Sequence, residues 1–129
     1  MREGLLIIDK PEGITSHDVV DIVRRKLKTK RVGHSGTLDP VATGVLVLLV
    51  GKATKLFSKF VHFDKEYEAT LRLGVVTTTG DSQGKIIQEK DASAITASAV
   101  EKVFASFIGE RQQVPPMVSA IKHQGERLY

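Results

Sequence analysis

Six consecutive apolar residues, "VLVLLV" at 45–50, constrain this chain more than any other feature. A run with no polar face predicts a strand buried on both sides, in the centre of a sheet. The run is fed by "GHSGTLDPVATG" (33–44), a loop of small residues around one acid, Asp39. Asp39 is the only acid between Asp21 and Asp64. Glycines at 33, 36 and 44 let the backbone approach a ligand closely. Pro40 stiffens the turn and restricts Asp39 to extended conformations. A carboxylate held this rigidly suits covalent or acid–base work. An Asp in such a turn also commonly does no more than bond to nearby backbone N–H groups. The residues alone leave both roles open.

Around this loop the elements alternate in type. "LLIID" (5–9) reads as a short buried strand and "KPEG" as a turn. Thr15 and Asp18 stand at capping-box spacing, with Asp in place of the usual Glu. Val19, Val20, Val23 and Leu27 then recur at helical spacing. "KATKLFSKFVHF" (52–63) predicts a helix with Leu56, Phe57 and Phe60 facing inward. "EYEATLRL" (66–73) alternates, with Tyr67, Ala69, Leu71 and Leu73 on one face, and predicts a strand. "DSQG" (81–84) is a turn before a strand at "KIIQE". Thr96 caps a helix whose Val100, Val103, Phe104, Phe107 and Ile108 form an apolar stripe stopped by Gly109. "PPMVSAIK" predicts a break and a strand, and "HQGE" the start of a hairpin. The order predicts an α+β, mixed α/β domain: a largely antiparallel sheet flanked by helices, and incomplete. At 129 residues the length suits one domain.

Charge is placed unevenly. Six of the 19 basic residues, Arg24, Arg25, Lys26, Lys28, Lys30 and Arg31, fall in "RRKLKTKR" with no acid among them. The other 13 are outnumbered by the 15 acids, so the net +4 belongs to this segment. Such density attracts phosphates and releases their counterions. It also suits a solvated helix end. Its place beside the Asp39 loop favours a polyanion.

Several chemistries are excluded. No cysteine is present, so there is no disulfide, thiolate metal site or cysteine nucleophile. His17, His34, His62 and His123 lack paired metal-ligand spacing, and no metal is expected. Neither a Gly-x-Ser-x-Gly elbow nor a phosphate-binding P-loop is spelled out. No run of 18 apolar residues exists, so no membrane span is expected. The N-terminus is too weakly apolar for a signal peptide, and a cytoplasmic protein is the expectation.

Four blocks, in order, resemble one family. "KPEGITSHDVV", "GHSGTLDPVATGVLVLLVGKATK", "KEYEATLRLG" and "VPPMVSAIKHQGERLY" are similar to the motifs of the TruB family of tRNA pseudouridine(55) synthases. The resemblance implies a pseudouridine synthase-like fold and an RNA uridine isomerase that uses no cofactor. The partner it implies is the T-loop and T-arm of tRNA. It puts Asp39 at the essential aspartate, acting as a nucleophile at sugar or base, or as a base on the sugar. It puts Tyr67 at the ring that stacks on the target and His34 at the histidine that opens the T-loop. Thr43 joins them as a loop neighbour, and Lys10 takes a structural or phosphate-contacting role. The chain departs from the family at Val118 and Thr78. The expectation is an N-terminal portion, 1–129, of the catalytic domain, without its C-terminal half or PUA-type domain. Alone, such a chain is expected to be inactive and to self-associate. The alternatives are a non-catalytic RNA-binding or RNA-folding module and a subunit of a guide-RNA-dependent synthase.

Overall fold

The computed structural model describes residues 3–114, with the backbone of Lys122–His123 and Glu126–Arg127. The chain forms two compact units, Met1–Tyr67 and Glu68–Tyr129.

The first unit is a three-stranded antiparallel sheet under one helix. Strand β1 (Gly4–Lys10) pairs with β3 (Gly44–Val50) from Gly4↔Val50 to Lys10↔Gly44. Strand β2 (Val32–His34) lies on the other side of β3, giving the order β1-β3-β2. Helix α1 (Ser16–Leu27) starts at a complete capping box. The Thr15 hydroxyl accepts from the Asp18 N–H at 3.0 Å, and the Asp18 carboxylate accepts from the Thr15 N–H at 2.8 Å. Lys28 ends the helix in the left-handed region, φ 51°, its N–H turned back to the carbonyls of Arg24 and Arg25.

One face of the sheet carries the core. Leu46, Leu48 and Val50 of β3 and Val32 of β2 pack with Val19, Val20 and Val23 of α1, flanked by Leu6 and Ile8. Burying apolar surface is the main favourable term here, about 25 cal/mol for each Å² removed from water. The other face is only partly covered. Leu49 is buried, but Ile7 and Val45 are 68% and 72% exposed. The central position expected for 45–50 is found. Burial on both sides holds only at its C-terminal end, where a 3-10 segment (Gly51–Leu56) packs back against β1 and β3.

The helix expected over 52–63 shrinks to that 3-10 segment and one α-turn, α2 (Phe57–Phe60). The Thr54 hydroxyl donates to the Gly51 carbonyl at 2.9 Å, which rewards a tight local turn. Leu56 and Phe57, expected inside, are exposed, and Phe60 is half-buried. The strand expected over 66–73 is also absent: residues 64–72 have no regular structure, and Tyr67, Leu71 and Leu73 are exposed. Alternation supplies one apolar face, but a strand needs a ladder partner, and none pairs with this segment among the described residues.

In the second unit β4 (Val75–Thr77) pairs antiparallel with β5 (Ile86–Glu89), with a bulge between Val76 and Thr77. Asp81 organises the connecting turn. Its carboxylate accepts from the Thr79 hydroxyl and from the N–H groups of Gln83 and Gly84, which holds it below the usual carboxylate range. Helix α3 (Ala97–Ser106) is capped by Thr96. The helix ends at Ser106, short of the expected stop at Gly109, so Phe107 is its C-cap and Ile108 lies beyond it; Val103, Phe104, Phe107 and Ile108 are all exposed. Where a hairpin is expected at 123–126, β6 (Lys122–His123) pairs antiparallel with β7 (Glu126–Arg127). Val118 and the strand expected around it lie outside the described residues. Sheets and helices together make an α+β fold, and among the described residues every strand pair is antiparallel. Among the described residues no helix is long and apolar enough to cross a membrane.

Candidate functional site

The Asp39 loop is the connection between β2 and β3, two adjacent antiparallel strands. Ser35 N–H donates to the Val47 carbonyl at 3.0 Å, extending the pairing one residue into the loop. At the far end Gly44 takes φ 110°, a conformation that side chains resist, so a glycine is required there.

Both neighbours of Asp39 are tied to the stretch that runs from the last residue of β1 to the first residue of α1. On one side, the Leu38 N–H donates to Ser16 Oγ at 2.9 Å, and that hydroxyl reaches the Leu38 carbonyl at 3.2 Å. On the other, the Pro40 carbonyl accepts from the Gly13 N–H at 2.8 Å and from Lys10 Nζ at 3.3 Å. The Lys10 ammonium also donates to the carbonyls of Pro11 at 2.9 Å and Ile14 at 2.8 Å. Lys10 and Ser16 are both fully enclosed, at 0% and 1% exposure. Lys10 thus binds the turn 11–14 to the loop from inside, and its amine is spent on main-chain oxygens.

Asp39 itself is exposed. Its turn is closed by main chain, the Ala42 N–H donating to the Asp39 carbonyl at 3.0 Å. No protein donor meets its carboxylate among the described residues, so both carboxylate oxygens stay available to a ligand. His34 stands half-buried at the loop entrance, its Nδ1 2.7 Å from the Gly36 carbonyl. A carbonyl only accepts, so Nδ1 carries the proton and Nε2 is the ring's other hydrogen-bonding position. Thr43 is exposed at the loop exit. Tyr67 stands in the irregular segment and is 67% exposed.

The six cations divide. Arg24 is half-buried and bound into the fold: it donates to Asp21 at 2.9 Å and to the Val32 carbonyl at 3.0 Å. Arg25, Lys26, Lys28, Lys30 and Arg31 are exposed. An open groove of about 480 Å³ runs along α1, lined by Asp18, Asp21, Ile22, Arg24 and Arg25. None of these belongs to the Asp39 loop, and the groove mixes both charges, so the loop remains the better candidate. Ser16 went unnoticed in the sequence. The only signal it offered was a second hydroxyl beside the capping Thr15.

Residues 24–129 match the family described as TruB family pseudouridylate synthase (N terminal domain). Among curated proteins the chain is 53% identical over its whole length to the tRNA pseudouridine synthase B of Arthrobacter sp. (strain FB24) and 49% identical to that of Thermotoga petrophila. It spans 42% and 41% of those two proteins. Among solved structures it is similar to a chain of a Cbf5-Nop10-Gar1 complex, with a TM-score of 0.60 and 28% identity, covering 92% of this chain and 31% of that one.

Proposed function

This chain belongs to the TruB family of pseudouridylate synthases, and we propose that in the full-length protein it carries the reacting aspartate of a tRNA uridine isomerase. The substrate is the T-loop uridine at position 55. The observation that carries this reading is Asp39: an exposed carboxylate that its own turn does not use, between two neighbours whose backbone is pinned.

The reaction is an exchange of bonds at one ribose. The bond from C1′ to N1 breaks, the uracil turns, a bond from C1′ to C5 forms, the C5 hydrogen leaves as a proton, and N1 takes up a proton. Atoms and electrons balance within the substrate, so neither oxidant nor cofactor is needed. Asp39 serves the exchange as a nucleophile at sugar or base, or as a base on the sugar. A uridine inside a folded loop must first leave its stack. His34 helps hold the opened loop, Tyr67 stacks on the displaced ring, and Thr43 lines the loop exit. Arg25, Lys26, Lys28, Lys30 and Arg31 meet phosphates. Lys10 and Arg24 support the site from within the fold. The 53% identity to a tRNA pseudouridine synthase, against 28% to the Cbf5-complex chain, favours an enzyme acting on tRNA over a subunit of a multiprotein complex.

The test is release of tritium from tRNA labelled at uridine C5, using the full-length protein. One equivalent should leave per tRNA, and none when position 55 is cytidine. Absence of release, or release indifferent to position 55, would contradict the proposal.

A further inference from the structure

We propose that Ser16 is a positioning residue for Asp39. The inference rests on the reading that Asp39 reacts, and extends it to what fixes the carboxylate in place.

Ser16 is the first residue of α1, yet its hydroxyl has no part in the helix cap. Thr15 supplies the cap oxygen. The Ser16 hydroxyl instead crosses 22 residues of sequence to Leu38, accepting its N–H at 2.9 Å and donating to its carbonyl at 3.2 Å. A hydroxyl has one donor and two acceptor positions, and two of the three go to a single residue. That fixes the backbone on both sides of the Leu38 α-carbon, and so the direction in which the chain enters Asp39. The Leu38 side chain packs against the core below. After Asp39 the Pro40 carbonyl is held by Gly13 and Lys10. Asp39 has no side-chain anchor of its own among the described residues, so its neighbours set its place. Ser16 is 1% exposed and cannot itself reach a substrate. It acts only through the loop. A misplacement of about 1 Å at a reacting group is enough to cost about 100-fold in rate.

The experiment compares four variants of the full-length protein for turnover, KM and thermal midpoint. Ser16→Ala removes both bonds and should lower kcat about 100-fold, with KM for tRNA changed less than about 3-fold. Ser16→Cys keeps the shape with a weak donor and acceptor, and should fall between Ala and the parent. Val23→Ala loosens the buried face of α1 and removes no hydrogen bond to the loop. It should lower the thermal midpoint at least as much as Ser16→Ala while leaving kcat within about 3-fold of the parent. Asp39→Asn fixes the baseline.

A Ser16→Ala protein that keeps kcat, while Asp39→Asn abolishes it, overturns the positioning role and leaves the role of Asp39 standing. Equal loss of kcat in Val23→Ala overturns it too, because general loosening then suffices. Turnover in Asp39→Asn would instead remove the reading on which the inference rests. Should Ser16→Ala fail to fold, Ser16→Cys decides: a reduced kcat supports the proposal and parental kcat overturns it.

Discussion

Lys10→Met keeps the length and apolar stem of the side chain and removes only its ammonium. Three carbonyls lose a donor, but not equally. The Pro40 carbonyl keeps the Gly13 N–H at 2.8 Å, and its bond to Lys10 is the long one at 3.3 Å. Pro11 and Ile14 lose their contacts at 2.9 and 2.8 Å. A buried acceptor left unpaired costs about 1–3 kcal/mol, so two cost about 2–6. Pro11 is exposed, so water can reach its carbonyl, and relief from burying a charge offsets part of the rest. We therefore expect about 2–3 kcal/mol, concentrated where the turn 11–14 meets the loop. The assay is amide hydrogen exchange in the full-length protein, read at Gly13 and Leu38, whose N–H groups bridge that junction. A loss of 2–3 kcal/mol means exchange faster by about 30- to 150-fold. Amides of β3, such as Leu48, should change less. Unchanged protection at Gly13 and Leu38 would refute the claim that Lys10 holds the loop.

Three further outcomes follow from the charges. Replacing Arg25, Lys26 and Lys30 by Gln should weaken tRNA binding and flatten the log–log salt slope by about 2–3, if each meets a phosphate; an unchanged slope in a filter-binding titration would exclude that role. Arg24→Gln should instead show mainly as lost stability, because Arg24 already bonds Asp21 and the Val32 carbonyl. The Thr15 hydroxyl and N–H hold Asp18 below its ordinary value of 3.8. A lowered folded value means its contribution is complete above that ordinary value and fades as pH falls through the lowered one. Stability of the parent should therefore drop more steeply than that of Asp18→Asn as a urea midpoint is followed from pH 5 to pH 2; parallel curves would count against the capping box as the source.

Local signals were legible in the sequence, and signals needing a partner were not. The capping box at Thr15 and Asp18, the cap at Thr96 and the central strand at 45–50 depend on neighbours in sequence or on a sheet this chain supplies, and all are present. The alternation at 66–73 and the stripe at Val103, Phe104 and Phe107 require something to pack against, and among the described residues those side chains face solvent. The same rule divides the site. Asp39 stood out because it is a lone acid among glycines. The part played by Ser16 did not, because a hydroxyl that reaches 22 residues along the chain leaves no periodic trace. Arg24 counted with its neighbours as a free cation, since composition cannot tell a solvated guanidinium from one bound to a strand carbonyl.

The central claim is that the Asp39 carboxylate does chemistry. Asn keeps the shape and the capacity to close a turn, but removes the charge and the nucleophilic, basic oxygen. The most direct measurement is release of C5 tritium from uridine-labelled tRNA by the full-length Asp39→Asn protein, alongside its tRNA affinity. Release should fall to background, with affinity within a few-fold of the parent and the fold intact. Release near the parental rate would remove Asp39 from the mechanism and contradict the account.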